Sequence, residues 1–179
     1  MSGFIASLMS LLGCEMPPQK KYKTGGVYLD LRQQVLSLDP AKIGLTATSA
    51  NTVWGVLMET GYKGAVATLV ALGDGTLSLY FSNGGGIIGV GQHEGPRKAS
   101  QALLAFAPRF IEHASPTTVF PLPTEGQTRF YFLCFDGART AEAKEEDLGN
   151  NNLPLSPLFH KAHEVITAAR LVAESQQAN

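Results

Sequence analysis

The sequence predicts an α+β domain, an antiparallel β-sheet meander packed by two main amphipathic helices, with a further helical segment at the N-terminus. Three observations predict it. Residues 76–82 alternate, with Leu77, Leu79 and Phe81 pointing one way and Ser78, Tyr80 and Ser82 the other, the period of a strand. Four strand-like runs follow one another through short connections, and only antiparallel neighbours join that way, because parallel ones need long crossovers. Two later stretches carry apolar residues at helical spacing: Ala99, Leu103, Phe106 and Phe110, then Leu158, Ala162, Val165, Ala169 and Val172.

The elements follow in chain order. Residues 1–26 read as an N-terminal helical segment and linker. Phe4, Leu8 and Leu11 or Leu12 have helical spacing, and 17–26 holds Pro17, Pro18, three lysines and Gly25-Gly26. Residues 27–175 form the single domain and 176–179 a fraying tail. Asp30 is placed to cap a short helix reaching about Leu38, which Asp39-Pro40 stops. Small polar residues make 46–51 a loop. The strand runs are 52–60, 65–72, 76–82 and 86–90, joined at 61–64, at Gly73-Asp74-Gly75 and at Asn83-Gly84. Asn-Gly is the strongest short hairpin signal in the chain, because a tight hairpin turn needs positive φ. Pro96 suits the first turn of the middle helix, and Pro108 shortens or kinks it. An edge-like strand is expected at 117–122, bounded by Pro121 and Pro123, and a better one at 127–135. The charged run 139–147 reads as an exposed helical turn or two, 150–157 as loop, and the remainder as the terminal helix.

The 179 residues fit one domain of the usual size, about 100–200 residues. With 44% hydrophobic and 16% charged residues the chain has enough apolar mass for a core and no signature of disorder. A net charge of −1 gives no field to draw nucleic acid, so the Lys20, Lys21 and Lys23 patch beside Tyr22 reads as solvated linker. Low charge with many glycines and alanines points to surface covered by a second copy or a partner. The two cysteines, Cys14 and Cys134, share no framework spacing, and a reducing, cytoplasmic compartment is the simpler reading. Leu11-Leu12-Gly13-Cys14 resembles a bacterial lipoprotein cleavage box, which makes anchoring through Cys14 the alternative. The absence of any Lys or Arg before Lys20 argues against it.

Gly84-Gly85-Gly86-Ile87-Ile88-Gly89 spells the G-x-G-x-x-G of dinucleotide sites, which work because a helix opens on those glycines. Gly89, Gly91 and Gly95 delay a helix here, so the string reads as a hairpin and no cofactor is expected. His160, His163 and Glu164 share a helix face, but zinc needs three or four ligands and nothing forces His93 or His113 toward them; no metal is expected. No Gly-x-Ser-x-Gly elbow occurs, Cys134 sits in an aromatic strand, and no catalytic residues are named. The loop between hairpin and helix is where polar groups can converge. Asn83, Gln92, His93, Glu94, Arg97 and Lys98 are the candidate ligand contacts, with helix N–H groups available to a phosphate or carboxylate.

The block 54–107, above all Leu79-Tyr80-Phe81-Ser82-Asn83-Gly84-Gly85-Gly86-Ile87-Ile88-Gly89, resembles a small family of uncharacterised bacterial proteins across the middle third of the chain. The order helix, strands, helix, strands, helix is similar to roadblock-like and profilin-like domains, with four strands before the middle helix where the roadblock pattern has two. That similarity implies a dimerising or scaffold module without catalysis. The expected function is therefore a self-associating, non-catalytic protein-interaction or regulatory module. The alternative is a small-ligand or anion-binding protein or enzyme with its site near residues 83–98.

Overall fold

The computed structural model describes residue 22 and residues 24–47 and 52–177. The expected helix within 1–14, Cys14, most of the linker and part of the 46–51 loop lie outside the described residues. Helix α1 (Gly26–Leu36) comes first, then strands β1 (Val53–Tyr62), β2 (Ala65–Leu72), β3 (Leu77–Phe81) and β4 (Gly86–Ile88). Helix α2 (Glu94–Phe106) runs into a 3-10 turn over Ala107–His113. Strands β5 (Ser115–Thr117), β6 (Gln127–Cys134) and β7 (Gly137–Lys144) follow, with the short α3 (Glu145–Gly149) and the long α4 (Ser156–Gln177). The fold is α+β. All seven strands form one antiparallel sheet in the order β4-β3-β2-β1-β6-β7-β5.

Alternation in β3 sorts the core into two layers. Leu77 and Leu79, with Val56, Met58, Leu69, Phe130 and Phe132, meet Leu103 of α2 and Leu158, Ala162, Val165 and Ala169 of α4. The opposite face carries Trp54, Leu57, Val70, Tyr80, Tyr131 and Leu133, and Tyr28 of α1 packs there. Both faces are thus covered, by α2 and α4 on one side and by α1 on the other. Every residue of β1 before Tyr62 is buried, so residues 53–58 read as a continuous apolar run instead of an alternation, with Glu59 and Thr60 buried after it.

Four local expectations change. Helix α1 begins at Gly26, not at Asp30, because Gly25 supplies an extended N-cap and ties its N–H to the Ser82 carbonyl at 2.8 Å. The run 139–147 is a strand leading into α3. Asp136-Gly137 turns the chain, Ala141 faces the core, and Glu142 pairs across the strand with Arg129. The strand expected at 117–122 shrinks to Ser115–Thr117, and residues 118–122 continue as irregular chain. Pro121 has no N–H to give a ladder; its carbonyl instead accepts from the Tyr131 hydroxyl at 2.6 Å. The β3–β4 turn is centred on Ser82 and Asn83, closed by Gly84 N–H to Phe81 C=O at 3.1 Å. Asn83 keeps a negative φ while Gly84, Gly85 and Gly86 carry the positive ones. Three glycines in a row make left-handed asparagine unnecessary.

Pro108 does what its ring requires: α2 ends and the chain tightens into the 3-10 turn over Ala107–His113. The start of α2 is fixed by a close backbone approach. A Cβ on Gly91 would lie 1.9 Å from the Gly75 carbonyl oxygen, so the β2–β3 turn presses directly against the chain entering α2. Gly95, two positions into α2, has nothing within 4 Å of its Cβ position. Gly91→Ala therefore lowers stability by roughly 1–3 kcal/mol or more, since the obstacle is backbone and cannot swing aside. Gly95→Ala leaves it unchanged or raises it by about 0.5–1 kcal/mol through helix propensity. Urea denaturation of the two variants checks the contrast.

Candidate functional site

The six polar residues of the hairpin–helix corner are all exposed: Asn83, Gln92, His93, Glu94, Arg97 and Lys98. Gln92, His93, Glu94, Arg97 and Lys98 lie at the entry to α2, while Asn83 sits in the β3–β4 turn. Lys98 pairs with Glu94 one helical turn back, both about 70% exposed. His93 Nε2 lies 3.3 Å from Gln176 Nε2 of α4. The positive end of the α2 dipole, which would attract an anion, already has the Glu94 carboxylate in its first turn.

The polar groups that do converge lie elsewhere, beneath α1. Strand register places Tyr80, Thr68, Glu59, Arg129 and Glu142 in one lateral row across β3, β2, β1, β6 and β7. Glu59 is 0% exposed. Arg32 of α1 reaches down to it with two parallel bonds, Nε to Oε1 at 2.7 Å and Nη2 to Oε2 at 2.8 Å. The Thr68 hydroxyl also donates to Glu59 Oε1 at 3.2 Å, and the Tyr28 hydroxyl lies 3.0 Å from Thr68 Oγ1. The Arg32 guanidinium carbon stands 5.8 Å from the centre of the Tyr131 ring, within cation–π range. Tyr28 meets Tyr80 edge to face at 5.8 Å.

The electrostatics follow from burial. Desolvation alone would ease the proton off Arg32, but its bonds to Glu59 outweigh that and raise its pKa. Burial pushes the Tyr28 and Tyr80 phenols up, and the Glu59 charge pushes further in the same direction, so both stay neutral. Among the described residues, Tyr80 OH and Trp54 Nε1 are buried without a hydrogen-bond partner. Both Glu59 oxygens are engaged, which makes the cluster an anchor for α1 rather than an acid or base facing solvent.

None of Arg32, Glu59 or Thr68 stands out by motif. The signal that was there is Glu59 itself, the one charge in an otherwise apolar strand. A carboxylate buried at that depth requires a cation. Tyr28 and Arg32, four apart, then share the helix face that supplies it.

The histidines do not gather. His160 Nε2 lies 3.0 Å from Asn151 Oδ1, Glu164 pairs with Lys161, and His163 packs 4.3 Å from the Phe159 ring. Among the described residues no group of three or more His, Cys, Asp or Glu is placed to hold a metal ion. Cys134 is buried as a free thiol, and burial raises its pKa. No helix among the described residues is long and apolar enough to cross a membrane. No family model, curated protein or solved structure matches the chain.

Replacing one member of the buried pair, Arg32→Leu or Glu59→Leu, leaves the other charge uncompensated and costs roughly 3–5 kcal/mol. The double substitution Arg32→Leu/Glu59→Leu recovers most of that loss, a non-additivity that a double-mutant cycle in urea measures. Burial also lowers the pKa of His163 below 6.5, against a smaller opposing pull from Glu145. The unfolded chain therefore takes up that proton first. The His163 contribution is fully present above about pH 6.5 and is lost as pH falls below it. His163→Gln flattens this part of the stability–pH curve, as denaturation series from neutral to mildly acid pH would show.

Proposed function

We propose that the chain is a non-catalytic protein-interaction module that associates with a second copy of itself through the β4 edge of its sheet. One observation carries the reading. No Asp, Glu, Lys or Arg occurs between Asp74 and Glu94, a stretch that contains all of β3 and β4. Within it Ile88 is 65% and Phe81 37% exposed. Edge strands normally carry charge or proline to prevent pairing with another chain. The opposite edge, β5, has Pro116 at its centre, and β4 has neither device. Antiparallel pairing of two β4 edges about a two-fold axis brings the same patch together from both copies, the self-complementary geometry of most dimers.

Among the described residues both sheet faces are covered, so an added strand would meet the sheet at an edge. Similarity of element order to roadblock-like and profilin-like domains, many of which dimerise, agrees with the reading. The buried free thiol of Cys134 agrees with a reducing, cytoplasmic setting.

Sedimentation velocity over a range of concentrations tests the proposal. The wild-type chain is expected to shift from monomer to dimer as concentration rises. Ile88→Lys, at an exposed position where a charge does not disturb the core, is expected to weaken association at least about tenfold, or ~1.4 kcal/mol. A wild-type chain that stays monomeric at the highest concentration reached would end the proposal.

A further inference from the structure

Three places in the chain set an Asp or Asn side chain directly before a glycine in a tight turn: Asp74-Gly75, Asn83-Gly84 and Asp136-Gly137. Their side chains are held very differently. Asp74 Oδ1 accepts from the Thr76 backbone N–H at 2.9 Å and Oδ2 from the Thr76 hydroxyl at 3.0 Å. Asp136 is clamped by Arg139, both oxygens accepting at 2.8 Å. Asn83 is exposed, and its side-chain amide has no hydrogen-bond partner among the described residues. Gly84 and Gly85 are exposed as well, and nothing lies within 4 Å of the Cβ position of either. No described side chain thus shields the Asn83–Gly84 peptide from water, and no contact among the described residues fixes the carboxamide away from it.

From this juxtaposition we infer that Asn83 is a modification site, at which the chain converts its own asparagine to aspartate and isoaspartate in water. The Gly84 amide nitrogen, having lost its proton, attacks Asn83 Cγ. The new N–Cγ bond forms as the Cγ–Nδ2 bond breaks, and the leaving nitrogen takes up a proton and departs as ammonia. The product is a five-membered cyclic imide. Water then opens either of its carbonyls, giving aspartate or, with the main chain rerouted through the side-chain carbon, isoaspartate. Water is the only co-reactant, and nothing is oxidised or reduced. Glycine matters because it has no Cβ to crowd the attacking nitrogen. The Gly84 N–H bond to the Phe81 carbonyl, at 3.1 Å, slows the first step and makes its rate a reporter of hairpin opening.

The site has consequences for the edge it adjoins. Either product introduces a negative charge into the only long uncharged stretch around β3 and β4. Isoaspartate also adds a methylene to the main chain inside the Ser82-Asn83 turn, where one extra atom changes the closure to Phe81. The paired strand β4 is three residues long, with little to resist that change. Weakened dimerisation after conversion rests on the proposed edge-to-edge association; the conversion itself does not.

The test incubates the full chain in 18O-labelled water at neutral and alkaline pH and follows the peptide carrying position 83 by fragment mass spectrometry. Expected are replacement of the side-chain NH2 by OH with uptake of 18O, isoaspartate among the products, and a rate that grows with hydroxide. Asp74 and Asp136 should take up far less label. Asn83→Gln keeps an exposed amide but would need a six-membered ring, so it should stay unmodified. An intact Asn83, under conditions that convert a free peptide of residues 79–88, would overturn the inference. Sedimentation of the converted protein separates the two ideas. Conversion with dimers lost supports both, and conversion with dimers unchanged supports the chemistry and counts against the edge.

Discussion

The Arg32–Glu59 pair is the constraint on which the third layer of this molecule depends. A carboxylate at the centre of a seven-stranded sheet, with no exposure at all, is tolerable only when a cation meets it with good geometry. Arg32 provides that by bonding side-on through Nε and Nη2, and Thr68 takes part of the remaining lone-pair capacity. Because the guanidinium sits on α1 and the carboxylate on β1, satisfying the charge fixes where α1 crosses the sheet. Tyr28, one turn earlier, adds a second polar contact on β2 and an aromatic one on β3. The buried pair contributes little net stability and a good deal of positional definition, since an α1 shifted by one turn would strand Glu59.

Close backbone approaches supply the complementary constraint. A side chain on Gly61 would collide with the Thr124 carbonyl, and one on Gly91 with that of Gly75. The first contact lets the chain entering β6 lie beside the end of β1, where Gly126 N–H bonds to the Gly61 carbonyl at 2.8 Å. The second seats the start of α2 against the β2–β3 turn. Polar anchoring on one face and glycine contacts at the sheet margins thus fix both helical layers, while apolar burial supplies most of the cohesion.

Elements whose periodicity is set by burial on one side were legible in the sequence. The stripes of α2 and α4 appear as written, because each helix meets a single apolar face. Strand β7 was not legible. Its charges satisfy cross-strand partners, Arg129 with Glu142, and a run of Arg, Glu and Lys looks the same on a helix as on a strand. Asp136-Gly137, a turn signal just before that run, marks where the strand begins. The polar row beneath α1 was hidden for a different reason. Its members are forty or more residues apart in some pairs, such as Tyr28 with Thr68, and only register and the crossing of α1 bring them together. Five of the six corner residues, Gln92 to Lys98, lie within one short stretch and were easy to nominate, but each is exposed.

The two edges of the sheet differ in sequence. At β5, Pro116 removes a donor, so that edge is blunted by its sequence. Strand β4 is Gly86-Ile87-Ile88, short and without charge or proline. Glycines are what let the β3–β4 hairpin turn with Asn83 in an ordinary conformation, and they are also what leave the Asn83 carboxamide unconfined. In the proposed association, the glycines that keep this edge free of charge are also the ones that leave Asn83 Cγ open to the Gly84 nitrogen. A bulkier residue at position 84 would crowd the attacking nitrogen, but the positive φ there would strain it. The missing side chains at this margin come from the same glycines, which cannot be replaced without altering the hairpin they form.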